Sequence, residues 1–323
     1  TERPQAAVAN ARLRIESSLK PKVSIEGLAS EGLADKMRRL GIQQVSVAVY
    51  RQGALEWANA YGNAADSETL FQAASMSKLV AATGIAMLAK AHGHSLDADI
   101  SAALADLDLA ELNPEKVPIT LRGLLSHTNG ATVGGFAGYP TDALLPRNLD
   151  VVRGSPPSQS PAVRIEADKV GTFVYSGGGF QIAQLWAEQV SGEAFASLMQ
   201  RLILAPLGMQ RSTFDQPLGA DLSNAGNIAP AYTEYGEIVE GRWRVYPEQA
   251  SAGLWTTPTD YGRFLMALLR AAQGDPSAGI DPEVAAEVIR PVANQYGLGV
   301  EVTSREGTTV ISHAGGNEGY RCY

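Results

Sequence analysis

Two regions of the chain alternate apolar and polar residues, a pattern typical of strands that are buried on one face. Toward the N-terminus, Gln44 to Tyr50 and Ala54 to Tyr61 flank the turn pair Gln52-Gly53, which predicts a β-hairpin. Toward the C-terminus, Leu298 to Thr303 and Thr308 to Ser312 are separated by a similar turn. Strands are therefore expected near both ends of the chain.

Between these ends the apolar residues recur every three or four positions, which predicts helices in four segments: Leu79 to Ala91, Leu121 to Ser126, Phe180 to Val190 and Phe195 to Ile203. Residues 4–20 predict another helix, ended by Pro21. Thr257-Pro258-Thr259-Asp260 has the composition of a helix N-terminus, and Val133 to Pro161 is rich in glycine and proline and predicts a loop. The pattern indicates a helical region inserted between strand-bearing ends.

Composition narrows the class of protein. Of the 323 residues, 45% are apolar and 19% are charged, which is ordinary for a folded globular chain. The 26 basic and 34 acidic residues give a net charge of −8 without any basic run, so nucleic acid is not an expected ligand. The longest apolar stretch, Leu79 to Ala89, is too short to span a membrane.

Cysteine and histidine are scarce. Cys322 is the one cysteine and cannot form an internal disulfide, and the four histidines include a single close pair, His92 and His94, which predicts a solvated turn. No metal or cofactor is expected.

Ser75-Met76-Ser77-Lys78 is the most informative segment, because it leads directly into the apolar stretch from Leu79. In a helix that begins near Ser75, Lys78 lies one turn later on the same face. A lysine buried in an apolar face loses proton affinity and can accept the serine proton, while the helix N-terminus offers free N–H groups to an oxyanion. The segment therefore predicts a nucleophilic serine.

The same spacing occurs once more, as Ser17-Ser18-Leu19-Lys20. Chance placement of serine and lysine gives about half a match in a chain of this composition, so the spacing alone is weak. The segment precedes Pro21 and lacks an apolar run, so we interpret it as a solvated helix face.

Further segments, in order, resemble the penicillin-recognising serine hydrolases, in the branch that contains class C β-lactamases, family VIII carboxylesterases and D-amino-acid peptidases. The resemblance covers about residues 35–323 and is carried by Leu70 to Lys78, Ile119 to Gly130, Tyr175 to Gly179, Pro206 to Met209 and Gly253 to Pro258. It implies that Ser75 is the nucleophile of an acyl-enzyme and that Lys78 activates it.

The second motif of that family, Tyr-x-Asn, falls on Tyr175-Ser176-Gly177. The resemblance implies that Tyr175 exchanges a proton with the leaving group, with its pKa lowered by a nearby cation. Glycine stands where the relatives carry a substrate-binding asparagine amide. Esters are therefore expected to react better than β-lactams, and Gly177→Asn is expected to raise β-lactam acylation.

The third motif, Lys-Thr-Gly in many relatives, appears as His313-Ala314-Gly315. The resemblance implies that the Gly316 N–H is the second oxyanion donor beside the Ser75 N–H, and that His313 tunes charge around Tyr175. It also places Gly315 and Asn317 beside the substrate. His127 lies outside the three motifs, and a structural role is expected for it.

The resemblance predicts an α/β sandwich of the β-lactamase/transpeptidase type, with an antiparallel sheet flanked by helices. Residues 1–74 and 212–323 would form the α/β domain, and residues 75–211 an inserted, mostly helical one. The expected function is hydrolysis of carboxylic esters or small amides. A D-amino-acid peptidase, a weak β-lactamase and a non-catalytic penicillin-binding sensor are the alternatives.

Relatives continue past the third motif with two strands and a helix, whereas this sequence ends at Tyr323. An open sheet edge is an aggregation hazard, so a second chain segment of about 60 to 80 residues, or a partner subunit, is expected to complete the sheet. Localisation stays open. A periplasmic location is favoured if a signal peptide has been removed.

Overall fold

The computed structural model describes residues 5–19, 30–104 and 106–323. Within them the α-helices are α1 (Gln5–Ser17), α2 (Leu33–Leu40), α3 (Ser77–Ala91), α4 (Leu109–Leu112), α5 (Leu121–Leu125), α6 (Asn148–Arg153), α7 (Gly177–Ser191), α8 (Phe195–Met199), α9 (Ala220–Ala225), α10 (Gln249–Ala252), α11 (Pro258–Ala272) and α12 (Pro282–Val288). The strands are β1 (Gln44–Arg51), β2 (Ala54–Gly62), β3 (Phe71–Gln72), β4 (Asn129–Ala131), β5 (Ile165–Val170), β6 (Trp255–Thr256), β7 (Glu301–Arg305), β8 (Thr308–Ser312), β9 (Gly315–Asn317) and β10 (Tyr320–Cys322).

Among the residues that the structure describes, the paired strands run antiparallel, as expected. β1 pairs with β2, β3 with β6, β4 with β5, β7 with β8 and β9 with β10. Both predicted hairpins are confirmed, and the first turns at Gln52 and Gly53, whose φ angles of 51° and 82° fit a turn with two left-handed residues. Within the described residues the strands form two-stranded antiparallel ladders, in line with the expected combination of antiparallel sheet and helices.

The predicted helices are confirmed with shifted ends. The segment from Phe195 ends in a π-helical turn, Gln200–Leu204, and α6 interrupts the predicted loop from Val133 to Pro161. Helix α11 begins as the sequence indicates, because the Thr257 side chain accepts the Asp260 N–H and Pro258 occupies the first turn. Of the predicted helix over residues 4–20, α1 accounts for residues 5–17, and its ends at 4 and 20 lie outside the described residues.

Helix α3 lies in the main hydrophobic core, where Val80 and Ile85 are fully buried. Phe180 of α7 and Phe264 of α11 belong to the same cluster. Gly84 allows a close approach, because a Cβ at this position would lie 2.6 Å from Met199 Sδ. The core therefore fixes α3 on several sides at once.

The same cluster contains residues from both predicted domains, including Val80 and Phe264. The division at residues 74/75 and 211/212 stays a prediction. No helix of the described residues is long and apolar enough to cross a membrane.

Candidate active site

A tight turn presents Ser75 ahead of α3. The turn Ala74–Met76 is a single 3₁₀ turn, and Ala74 has a φ of 46°, which is uncommon for a residue with a side chain. Ser77 fixes the turn, since its hydroxyl donates to the Ala74 carbonyl at 2.5 Å and accepts the Leu254 N–H at 3.0 Å. The Ser75 side chain is half-buried at this turn.

Lys78 lies one helical turn after Ser75, and its side chain is directed back toward it. The Lys78 Nζ donates to Ser75 Oγ at 3.1 Å and to the Ser251 carbonyl at 2.9 Å. The residue is only 2% exposed, and burial lowers the pKa of its amine from 10.5 to about 7. Near neutral pH the amine is therefore partly unprotonated and able to accept the Ser75 proton.

Tyr175 lies beside this pair, just before α7. Lys78 Nζ is 5.0 Å from the centre of its ring. Burial raises the pKa of the Tyr175 phenol, and a hydrogen bond to Ser75 only partly opposes this rise. The expected lowering of this pKa by a cation is therefore wrong, because desolvation outweighs the hydrogen bond with Ser75, and Tyr175 is a phenol at neutral pH.

Strand β9 passes very close to the turn that carries Ser75. A Cβ at Gly315 would lie 2.7 Å from the Ala73 carbonyl oxygen, 3.2 Å from the Ala74 Cβ and closer still to Cys322 Sγ. The Cys322 thiol also donates to the Ala73 carbonyl at 3.0 Å. Gly315 therefore contributes by its small size, which lets β9 approach the nucleophile turn.

The hairpin register orients the Gly316 backbone. Asn317 pairs with Tyr320 across a two-residue turn, and Gly316 pairs with Arg321. In a hairpin with a two-residue turn, the two residues that flank the turn exchange backbone hydrogen bonds, and here these are Asn317 and Tyr320. Because hydrogen-bonded and non-hydrogen-bonded pairs alternate along an antiparallel ladder, the pair of Gly316 and Arg321 is a non-hydrogen-bonded one. The Gly316 N–H consequently points away from β10.

His313 contacts Tyr296, a tyrosine for which the sequence gave no functional signal. The Tyr296 hydroxyl is 2.8 Å from His313 Nε2, and His313 Nδ1 is 2.6 Å from the Ala314 carbonyl. Burial and the Lys78 charge lower the pKa of the His313 imidazole to about 4. Both ring nitrogens have partners and the ring is neutral at pH 7, so His313 brings no positive charge to Tyr175 at that pH.

The two remaining predicted substrate contacts have different surroundings from those expected. The Asn317 amide is 5% exposed and donates to Gln72 Oε1 at 2.7 Å and to the Ala252 carbonyl at 3.2 Å, so its N–H groups are engaged inside the protein. At Gly177 a Cβ would lie 2.8 Å from Phe136 Cε2. Phe136 therefore fills the space into which a side chain at position 177 would extend.

Backbone hydrogen bonds hold Phe136 in this place. The Gly177 N–H donates to the Gly134 carbonyl at 3.2 Å and the Gly178 N–H to the Val133 carbonyl at 2.9 Å. These bonds fix the start of the loop along the N-terminus of α7. Gly177→Asn alone is therefore not expected to restore an amide, contrary to the prediction from sequence, because the ring must first move.

Several residues around the site carried no functional signal in the sequence. Ser251 acts through its carbonyl, and its hydroxyl donates to the Gly177 carbonyl at 2.8 Å. Tyr296 precedes two closely spaced glycines, and in the sequence this pattern indicates a β-turn as readily as a functional tyrosine. His127, for which the sequence indicated a structural role, has its ring centre 4.4 Å from that of Tyr175.

The described residues contain no group of three or more His, Cys, Asp or Glu side chains that could hold a metal ion. The residues that surround Ser75 instead supply an amine, a phenol and backbone N–H groups. This set is suited to moving a proton and to holding a negative oxygen.

Comparison with known proteins gives one family. The model of the family described as Beta-lactamase matches residues 30–323. No curated protein matches the chain at a significant level.

Solved structures share the fold at low sequence identity. The D-amino acid amidase from Ochrobactrum anthropi SV3 is 20% identical with a TM-score of 0.71, over 98% of this chain and 86% of the amidase. The penicillin-binding protein from Bacillus halodurans is 20% identical with a TM-score of 0.67, over 88% and 87%. The octameric penicillin-binding protein homologue from Pyrococcus abyssi is 20% identical with a TM-score of 0.69, over 88% of this chain but 66% of the homologue. These likenesses establish the β-lactamase/transpeptidase-like fold.

The close approach of Gly315 predicts a position-specific loss of reactivity. Gly315→Ala forces β9 away from the Ser75 turn, because the added methyl lies within 3 Å of the Ala73 carbonyl and of Cys322 Sγ. We expect the rate at which a fluorophosphonate labels Ser75 to fall by about 10²-fold, as for loss of one oxyanion donor. Labelling is followed by intact mass, with the melting temperature as a check of folding.

Gly316→Ala is the matched control, since its added methyl would meet only the flexible Arg321 side chain, at 3.4 Å. A much smaller loss is expected there. Equal labelling rates in folded Gly315→Ala and wild type would contradict the proposed role of this contact.

Proposed function

Because the chain belongs to the beta-lactamase family, we propose that it is a serine hydrolase that cleaves carboxylic esters through an acyl-enzyme on Ser75. The observation that carries the proposal is the contact of 3.1 Å between Ser75 Oγ and Lys78 Nζ, together with a lysine pKa of about 7. A neutral amine has a lone pair for the serine proton and two N–H bonds. One of these N–H bonds suits the Ser251 carbonyl, which lies 2.9 Å away.

The proposed reaction begins with attack of Ser75 Oγ on the substrate carbonyl carbon while the serine proton passes to Lys78. The negative charge that forms on the carbonyl oxygen is held by the N–H groups of Ser75 and Gly316. Collapse breaks the bond to the leaving group, which takes a proton from the Tyr175 hydroxyl, and Lys78 returns its proton to Tyr175. In the second half of the reaction, water attacks the acyl carbonyl carbon and gives its proton to the same pair of groups, Lys78 and Tyr175. The bond to Ser75 Oγ then breaks, the serine takes up that proton, and the acid is released.

The substrate preference follows from Phe136 and Gly177. Phe136 places an apolar ring where an amide side chain would otherwise contact the substrate, so that part of the site offers no hydrogen bond from residue 177. A short acyl ester does not need that bond, whereas a substrate with an acylamide group loses it. Esters are therefore the first candidate substrates.

Small amides of D-amino acids are the second candidate. Support comes from the structural likeness to the D-amino acid amidase, which extends over 98% of this chain. A weak β-lactamase activity and a non-catalytic penicillin-binding sensor would use the same serine. They differ in whether the acyl group is released.

The test of function compares turnover with adduct formation. Wild-type protein is expected to hydrolyse short-chain p-nitrophenyl esters faster than D-phenylalanine amide or nitrocefin, and Ser75→Ala to abolish hydrolysis and adducts. Ser17→Ala is the matched control, because Ser17 is an exposed residue at the end of α1. A lasting penicillin adduct without ester turnover would instead identify a sensor. Full activity of Ser75→Ala would rule out the mechanism.

The pKa of Lys78 predicts how the rate depends on pH. Its neutral form is the base, so ester kcat/KM should rise as the pH increases through about 7, where the amine loses its proton. His313, with a pKa of about 4, stays neutral over that interval. A pH–rate profile on p-nitrophenyl acetate measures this, and a flat profile between pH 5 and 9 would exclude Lys78 as the base.

A double-mutant cycle tests the role of Phe136. Gly177→Asn alone should leave nitrocefin acylation unimproved, whereas the same change in a Phe136→Ala background should raise it by about 10-fold, the equivalent of one hydrogen bond. The measurement is the acylation rate by stopped-flow or intact mass. An equal gain in the presence and absence of Phe136 would show that the ring does not restrict this position.

A further inference from the structure

We propose that His127 is a positioning residue for the proton-transfer step. It holds Tyr175 beside the nucleophile by binding the residues that precede and follow the tyrosine, Val174 and Ser176. The inference rests on the proposed function, since it assigns the position of Tyr175 in that reaction. It gives a role to a residue for which the sequence indicated only a structural one.

Three contacts connect His127 to three consecutive residues. The Val174 N–H donates to the His127 carbonyl at 2.8 Å, and the Ser176 N–H donates to His127 Nδ1 at 3.0 Å. Between them, the Tyr175 ring lies 4.4 Å from the imidazole, centre to centre, at a tilt of 36°. The backbone on each side of Tyr175 and the ring itself are thus fixed by one histidine.

The same contacts define the tautomer of His127. Because Nδ1 accepts a hydrogen bond, it carries no proton, and the neutral ring has its proton on Nε2. Within the described part of the chain Nε2 is buried without a hydrogen-bond partner, and the rings of Phe173, Phe180 and Tyr296 lie 5.1 to 5.7 Å from the imidazole, centre to centre. An aromatic enclosure of this kind opposes a second proton.

The titratable groups around the ring act in the same direction. Burial, and after it the charge of Lys78, lower the pKa of the His127 imidazole to about 2. Tyr175 and Tyr296, the other titratable neighbours, both have raised pKa values and are neutral. His127 therefore remains an acceptor for Ser176 throughout the range in which Lys78 titrates.

The backbone of His127 adds an independent indication. Its φ of 61° is in the left-handed region, which is strained for a residue with a side chain. This conformation lets the carbonyl and the ring of one residue reach Val174 and Ser176 together. Ser176 also caps α7 by accepting the Gly179 N–H at 2.9 Å, so the start of that helix depends on the same attachment.

Two substitutions separate the acceptor from the ring. His127→Asn keeps a side-chain oxygen near the position of Nδ1 and suits a left-handed backbone, whereas His127→Phe keeps an aromatic ring but leaves the Ser176 N–H unsatisfied. We expect ester kcat to fall by about 10- to 100-fold in His127→Phe, with KM little changed, and much less in His127→Asn. His94→Phe is the matched control, because His94 is exposed and packs its ring against Trp186, outside the site.

The effect must also depend on Tyr175. In a Tyr175→Phe background, we expect His127→Phe to lower kcat further by less than about 2-fold, because the Tyr175 hydroxyl that His127 positions is already absent. A purely structural role predicts instead a lower melting temperature and equal losses in both backgrounds. Wild-type kcat in folded His127→Phe, or equal losses in the Asn and Phe variants, would overturn the proposal.

Nitrogen-15 NMR of the wild-type histidines tests the contact even if His127→Phe does not fold. His127, assigned by its absence from the His127→Asn spectrum, should show an unprotonated Nδ1 and a protonated Nε2 unchanged from pH 5 to pH 9. A protonated Nδ1 would refute the proposal. If no substrate is turned over, the proposed function fails, whereas the tautomer of His127 still tests its attachment to Ser176.

Discussion

Lys78 is only 2% exposed at the start of α3, and the arrangement of the candidate site follows from the energetic cost of that burial. Moving its pKa from 10.5 to about 7 corresponds to about 5 kcal/mol of penalty on the charged form, at roughly 1.4 kcal/mol per unit. The folded state binds this proton less tightly than the unfolded chain does. The contribution of Lys78 to stability is therefore least favourable below pH 7 and improves as the pH rises toward 10.5.

The large core around α3 can offset such a penalty because the apolar residues next to Lys78, among them Leu79 and Val80, are almost completely buried. The same core determines where the amine points. Ser251 in α10 offers a carbonyl at 2.9 Å, and Phe180 in α7 places its ring centre 5.7 Å from Nζ. Packing in the core thus selects the direction of the base and lowers its proton affinity at once.

Much of this could be predicted from local sequence. Ser75 and Lys78 are separated by one helical turn, so their contact needs only the helix that the apolar run indicates. The two hairpins could also be predicted, because the alternation of apolar and polar residues and the turn residues are local signals in the sequence. The proximity of Gly315 to the Ser75 turn came from the family resemblance, since nothing local connects residues 240 positions apart.

Properties that depend on tertiary burial could not be predicted. The pKa of Tyr175 was expected to fall and instead rises, because the sequence shows a cation nearby but not how much water the fold removes. Phe136 lies in a glycine-rich loop without periodicity, and its contact with Gly177 depends on backbone hydrogen bonds between distant segments. The attachment of His127 to residues 174–176 could not be predicted for the same reason, since it spans almost 50 positions of the chain.

The protonation states around Ser75 together favour a single path for the proton. At neutral pH the rings of His127 and His313 are uncharged and their accepting nitrogens are already engaged by Ser176 and Tyr296. Neither imidazole can therefore take the serine proton without breaking a buried hydrogen bond. Tyr175 is a phenol and must give up its own proton before it can accept one. Lys78 is left as the group that can accept first, and Tyr175 as the group that can donate to the leaving group and be refilled by Lys78.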